Sequence, residues 1–304
     1  MKEKTLITVV GPTAIGKTSL AIAIAKHYNT EIISADSRQF YKEMSIGTAV
    51  PSPDELDAVP HHFIQHKSIF DEYTVGDFER EAITKLETLF KQHDIVVMVG
   101  GSGLYVDAIK YGLDNFPTID PEVRETLNST LINEGILSLQ EKLKSLDREY
   151  YNKVDLNNPH RLIRALEVCI GSGLPYSSFL NQKKADRNFN TITIGITAER
   201  KTIYDRINQR VDIMLEQGLL EEVQSLKKQQ NLNALQTVGY RELFSYYDGE
   251  YDLDTAIAEI KKNTRRFAKR QLTWLRKKED ILWVDYKYDL EVLLKKVEHE
   301  RNSK

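Results

Sequence analysis

Eight consecutive residues, Gly11-Pro12-Thr13-Ala14-Ile15-Gly16-Lys17-Thr18, have the form G-x-x-x-x-G-K-[ST]. That spacing suits a phosphate cradle. The glycines let successive backbone N–H groups turn toward phosphate oxygens, and a following helix adds the positive end of its dipole. Lys17 supplies a point charge, and Thr18 a hydroxyl able to ligate Mg²⁺. A di- or triphosphate is the ligand such a loop takes. Nucleotide-hydrolysing members of the class end a core strand in an acidic Mg²⁺ ligand. Here the apolar run Ile95–Val99 ends in Gly100-Gly101-Ser102-Gly103, with no carboxylate. The acid sits instead at Asp36, and the base-reading and switch signatures of a GTPase are absent. The pattern fits a site that holds phosphates for chemistry other than phosphoryl hydrolysis. His61, His62 and His66 lack the partners and spacing of a zinc site, so a structural or pocket-lining role is expected for them. Cys169 reads as a small buried hydrophobe.

The elements that must position these groups follow from periodicity. Thr5–Val10 is a β-branched run closed by Gly11-Pro12 and predicts a buried strand directly before the cradle. Leu20, Ala21, Ile24 and Ala25 predict the helix directly after it. Residues 32–33, Ile95–Val99 and residues 191–196 predict three further strands. Continuous apolar strands separated by helices point to an α/β class with a parallel sheet covered on both faces. Between the third and fourth strands Asp120-Pro121 and Asn158-Pro159 read as N-caps followed by proline. Leu127, Leu131, Leu137, Leu139, Leu143 and Leu146 keep a helical period, and Gly171 and Gly173 are expected to stop the last helix. Residues 117–189 are therefore read as an all-helical insertion into a core made of 1–116 and 190–304. After the fourth strand the chain is expected to be helical, over 200–230 and 254–278.

The 304 residues amount to roughly two domains of about 150 residues. A hydrophobic fraction of 41% and a charged fraction of 29% are those of an ordinary globular protein. No apolar run approaches the roughly 20 residues that cross a bilayer. Residues 1–4 lead into the first strand and not into a cleavage site, so no signal peptide is expected. A single cysteine excludes an internal disulfide, and a cytoplasmic location is expected. The net charge of −3 gives no bulk sign of nucleic-acid binding. The average conceals segregation, because residues 261–278 contain nine Lys or Arg and no Asp or Glu, with Phe267 and Trp274 interleaved. Such cations suit contact with RNA. The two aromatics are expected to face the core.

Several motifs follow the cradle in order: Ile33-Ser34-Ala35-Asp36-Ser37-Arg38-Gln39, Ile46-Gly47-Thr48-Ala49, Pro60-His61-His62, and Val99-Gly100-Gly101-Ser102-Gly103-Leu104-Tyr105. Then come Asn158-Pro159-His160-Arg161, Arg210-Val211-Asp212, Gly239-Tyr240-Arg241-Glu242 and Thr264-Arg265-Arg266-Phe267-Ala268-Lys269-Arg270-Gln271. Over about residues 5 to 276 this series resembles the bacterial tRNA dimethylallyltransferases, also called tRNA isopentenyltransferases. The resemblance implies a P-loop core with a helical insertion gripping the anticodon stem-loop. It implies transfer of a dimethylallyl group from dimethylallyl diphosphate to N6 of adenosine 37 of tRNA, with release of diphosphate. The donor's diphosphate would lie on Gly11, Pro12, Thr13, Ala14, Ile15, Gly16, Lys17 and Thr18, with Mg²⁺ on Thr18. Contacts to tRNA are implied at Asp36, Ser37, Arg38, Gln39 and Ser102, and at Arg124, His160, Arg161, Leu162, Ile163 and Arg164. A monomer is expected.

An allylic diphosphate reacts as its C1–O bond loosens, so the leaving group must be stabilised and a nucleophile aimed at C1. Lys17, the loop amides, Mg²⁺ and Arg210 suit the first task. An exocyclic adenine amine is a weak nucleophile, and a carboxylate in reach can take its proton as the C–N bond forms. Asp36 is the candidate base; a role behind a Mg²⁺ ligand or in a turn is the other reading of it. Thr13 suits either a phosphate contact or a structural role. Ser102 stands where the family usually has threonine, keeping the hydroxyl and losing a methyl. The target base must leave its stack to be reached. The competing readings are a P-loop small-molecule or nucleoside kinase and a non-catalytic RNA-binding protein.

Overall fold

In a computed structural model, residues 4–180 and 185–303 are described. Residues 1–4, read above as free of a leader, lie outside them except for Lys4, and so do 181–184 of the expected insertion and Lys304. Six strands form one sheet: β1 (Thr5–Val10), β2 (Ile32–Ser34), β3 (His61–His62), β4 (Ile95–Val99), β5 (Asn190–Thr197) and β6 (Ile281–Asp285). Their order is β3-β2-β4-β1-β5-β6, and every pairing is parallel. β1 lies at the centre, with Ile7 opposite Val97 on one side and Ile192 on the other. All six of its residues are buried, which is why its sequence is apolar or threonine throughout. Leu6 and Val10 face a core with Phe40, Phe78 and Tyr240, while Ile7 and Val9 face the opposite core with Leu20, Ile24 and Ile207.

The strand order positions the site. From β1 the chain travels toward the β3 edge, and from its neighbour β4 it travels toward the β6 edge. Loops that leave two adjacent parallel strands in opposite directions open a crevice at their C-terminal ends, where ligands of such sheets bind. The crevice here lies between residues 11–18 and residues 100–103.

Two strands were not expected. β3 is only two residues long and carries the His61–His62 pair, too short to show a period. The reading of the chain beyond β5 as helical is corrected by β6, whose Ile-Leu-Trp-Val composition pairs along β5 from Thr193↔Ile281 to Thr197↔Asp285.

The chain divides into two compact units, one of Met1–Tyr111 with Arg187–Lys304 and one of Gly112–Asp186. The second is helical, with Pro121–Glu134 capped by Asp120 and Pro159–Ser172 capped by Asn158. Its core is Leu127, Leu139, Leu143, Leu162, Ile163 and Leu166. Gly171 does not end the last helix. It lies inside it, where a Cβ would stand 2.4 Å from Ile119, and the left-handed Gly173 (φ 73°) makes the stop. Leu162 and Ile163, implied above as tRNA contacts, have side chains only 0% and 5% exposed. Their side chains hold the helix in this core and have no free face to offer RNA. Accordingly Leu162→Ala is expected to cost about 2–5 kcal/mol in urea unfolding followed by circular dichroism. Leu162→Met should cost less than about 1.5 kcal/mol and leave tRNA affinity as it was; a selective loss of tRNA binding in the Met variant would restore the contact.

Candidate active site

The cradle is built by close approach. β1 ends at Val10, and a Cβ on the next residue, Gly11, would stand 2.7 Å from the Ile196 carbonyl oxygen of β5. Only glycine lets the chain turn there. Ala14 (φ 64°) and Gly16 (φ 104°) take left-handed conformations, and the Lys17–Tyr28 helix then starts with its amides toward the loop. Two side chains from distant parts of the chain brace the loop. Arg206 Nε donates to the Ala14 carbonyl (2.8 Å). Gln271 Oε1 accepts from the Thr13 amide (2.9 Å), while its Nε2 donates to the Gly101 carbonyl (2.9 Å). Gln271 thus staples the cradle to the turn after β4.

Asp36 follows β2 and is half-buried, and its Oδ1 accepts from the Arg38 amide (3.2 Å). Lys17 donates from Nζ back to the Pro12 carbonyl (2.9 Å). Burial pulls the Lys17 ammonium down to about 8; Asp36 pulls the other way, and Arg210 adds to the depression. Burial and then the Arg206 charge lower Arg210 too, against Glu55 and Asp36. Two half-buried cations therefore share the influence of one carboxylate, which is the electrostatics of an anion site.

Two cavities meet at these residues. One, of about 730 Å³, takes in Thr13, Ala14, Ile15, Gly16, Lys17 and Thr18, with Gln39 and Glu55. The other, of about 520 Å³, takes in Gly11, Ser37, Arg38, Ser102 and Arg241. Thr13, Asp36 and Arg210 line both. Pro12 lines neither; its part is the carbonyl that holds Lys17. Ser102 Oγ accepts from the Ser37 amide (3.2 Å) and shares a hydrogen bond with Ser37 Oγ (3.1 Å), so the turns after β2 and β4 are tied together. Arg38 Nη1 donates to the Ala234 carbonyl (3.1 Å). Gln39 Nε2 donates to the carbonyls of Thr48 (3.3 Å) and Ala49 (2.8 Å).

The basic run is more divided than its composition suggests. On the Leu253–Leu275 helix the buried face is Ala256, Ile260, Ala268, Gln271 and Leu275. Phe267 lies off that face at 39% exposure and lines the smaller cavity, so it is not a core residue. Lys261 pairs with Asp212, Lys262 with Glu259, Lys278 with Asp107, and Arg265 donates to Asn208. Arg266, Lys269, Arg270, Arg276 and Lys277 stay exposed. Gln271 was missed as a site residue. Its signal was a neutral amide in phase with Ala268 and Leu275 among nine cations. In the helical unit, Arg124 and Arg164 both face Glu167, at 2.7 and 3.5 Å, while His160 and Arg161 are exposed.

Among the described residues no cluster of three His, Cys, Asp or Glu offers an all-protein cage for a metal. Mg²⁺ is commonly held by one or two protein oxygens together with phosphates and water. The Thr18 hydroxyl, beside Lys17 at the helix start and on the larger cavity, fits that sparse donor set.

Residues 39–278 match the model of the IPP transferase family. A tRNA dimethylallyltransferase of Christiangramia forsetii is 65% identical over 281 residues, covering 92% of this chain and 93% of the relative. Among solved structures, the full-length tRNA isopentenylpyrophosphate transferase of Bacillus halodurans superposes with a TM-score of 0.70 at 38% identity, over 99% of this chain and 95% of that one. A eukaryotic dimethylallyltransferase caught acting on tRNA gives a TM-score of 0.77 at 27% identity, over 93% of this chain and 74% of the other.

An anion placed among Lys17, Arg210 and the loop amides favours the charged ammonium. Above about 8 the free Lys17 is increasingly neutral while the complexed one keeps its proton, so binding takes up a proton there. Affinity for an alkyl diphosphate, itself fully ionised above neutrality, should fall as the pH rises past 8. Calorimetry in buffers of different ionisation enthalpy should report the uptake, and Lys17→Met should remove it; a pH-independent affinity would contradict the assignment.

Proposed function

This chain belongs to the IPP transferase family and is a tRNA dimethylallyltransferase, and on that footing we propose that dimethylallyl diphosphate is its donor and N6 of adenosine 37 its acceptor. The observation that carries the reading is the meeting of two cavities at Asp36. The cavity with residues 13–18 suits the diphosphate, and the cavity with Ser37, Arg38 and Ser102 suits an extruded base. The relatives do not favour a kinase.

The chemistry then follows from the placement. Lys17 leaves the Pro12 carbonyl for the diphosphate, and Arg210 meets the same oxygens from the neighbouring helix, Arg200–Glu216. Mg²⁺, held by Thr18 and the donor's own phosphates, would supply further neutralisation of the leaving group. As the C1–O bond breaks, its electron pair goes to diphosphate. The N6 lone pair forms the new bond to C1, and Asp36 takes one N6 proton, which it later yields to water. The Ser37–Ser102 hydroxyl pair offers donors and acceptors to the base edge. Gln271 keeps the cradle and the β4 turn at a set separation, which is the separation between leaving group and nucleophile.

The exposed Arg266, Lys269, Arg270 and Lys277 line a shallow groove that suits RNA phosphates. His160 and Arg161, on the helical unit, suit the anticodon arm, with Arg124 and Arg164 held by Glu167 beside them. We read the protein as a monomer working in the cytoplasm, where tRNA is met as substrate. Among the described residues no helix is long and apolar enough to cross a membrane.

The direct assay combines the protein, Mg²⁺, unmodified tRNA and dimethylallyl diphosphate, then weighs the nucleosides after digestion. Adenosine carrying one C5 prenyl unit is the expected product; consumption of ATP with no prenylated adenosine would support the kinase instead. Asp36→Asn should bind both substrates while transfer slows by about 10²–10⁴-fold. Unchanged turnover in that variant would remove Asp36 as the base.

A further inference from the structure

Residues 45–50 form a turn that walls both cavities, Gly47 on the side of the base, Ser45 and Ile46 on the side of the phosphates, and Thr48 and Ala49 on both. The turn lies outside helix and strand, so its amides need partners elsewhere. Three consecutive ones find the same partner, Glu222 on the Leu219–Ser225 helix. Ser45 and Ile46 donate to Oε2 at 2.9 and 2.8 Å, and Gly47 donates to Oε1 at 2.9 Å. Tyr240 Oη donates to Oε1 as well, at 2.6 Å. The Tyr240 ring is fully buried and fits directly against Gly47, where a Cβ would stand 2.6 Å from it. From the other side the turn is held by Gln39, whose Nε2 reaches the Thr48 and Ala49 carbonyls. Gln39 in turn donates its own amide to the Asp36 carbonyl (3.0 Å).

We propose that Glu222, with Tyr240 behind it, is a positioning residue for the transfer step: it clamps the 45–47 amides and so sets, through Gln39, the place of Asp36 at the junction of the two cavities. The inference rests on the donor and acceptor assignment made above. The geometry needs a carboxylate in particular. Four donors converge on two oxygens, and each oxygen takes two of them. A carboxamide at 222 has one oxygen for two donors and turns its own N–H groups against the other two. The turn would then shift while the strands, the cradle and the basic helix stayed in place. Loss should therefore appear in the chemical step and not in the grip on either substrate, because misplacement of reacting groups by about an ångström can cost up to about a hundredfold in rate.

The test measures single-turnover prenyl transfer together with the affinities for inorganic diphosphate and for unmodified tRNA, with the wild-type protein alongside. Glu222→Gln is expected to slow transfer by about ten- to a hundredfold while both affinities stay within about twofold. A rate within twofold of wild type in the folded variant would overturn the proposal, as would a loss confined to tRNA affinity. Should Glu222→Gln fail to fold, Tyr240→Phe removes one of the four hydrogen bonds and keeps the ring; a several-fold slower transfer with unchanged affinities supports the proposal, and an unchanged rate overturns it. A wild-type protein that transfers no prenyl group would refute the assigned activity and leave Glu222 without a reaction to position, a failure distinct from a normal wild-type rate and a normal variant.

Discussion

Lys17 and Arg210 are half-buried cations near each other, and the Asp36 carboxylate acts on both. Neither is neutralised by a direct ion pair among those the described residues show, and burial works against both charges. Such an arrangement is costly unless a ligand brings negative charge. The cradle, the Lys17–Tyr28 helix start and the carbonyl of Pro12 are ways of keeping these charges in place until an anion arrives. The same constraint bears on Asp36: a carboxylate free to move would compete for the nearer cation with the diphosphate proposed above.

The fixing is done at a distance. β1, β2 and β4 deliver residues 11–18, 36–39 and 100–103 to one end of the sheet, but strand ends alone leave the three turns independent. Gln271 joins the first to the third, the Ser37–Ser102 hydroxyls join the second to the third, and Gln39 joins the second to the 45–50 turn. Each tie is a neutral hydrogen bond worth about 1 kcal/mol on its own. Together they hold one geometry, and Glu222 extends the set outward to the helix that begins at Tyr240.

The central strands and the cradle were legible because their physics is local. A β-branched run, two glycines and a lysine at set spacing specify a strand, a turn and an anion seat without reference to the rest of the chain. Asp36 was legible as an acid at a strand end, and the N-caps at Asp120 and Asn158 as a side-chain oxygen placed before proline. What escaped depends on partners far along the chain. β6 is a strand because β5 offers it an edge, and Leu162 and Ile163 are core because Leu127, Leu139 and Leu143 meet them. Gln271 and Glu222 looked like ordinary polar residues; their roles arise 258 residues from Thr13 and 175 residues from Gly47. The nine cations of 261–278 could not be sorted into paired and exposed ones until partners such as Asp212, Asp107 and Asn208, on other helices, were placed beside them.

The central claim is that leaving group and nucleophile meet at Asp36. A structure of the protein with an anticodon stem-loop and an unreactive thio analogue of the donor measures it most directly. The expected result places the diphosphate on residues 11–18 and N6 of the extruded adenine within about 3.2 Å of an Asp36 carboxylate oxygen. A diphosphate seated elsewhere, or an adenine whose N6 lies out of reach of Asp36, would contradict it.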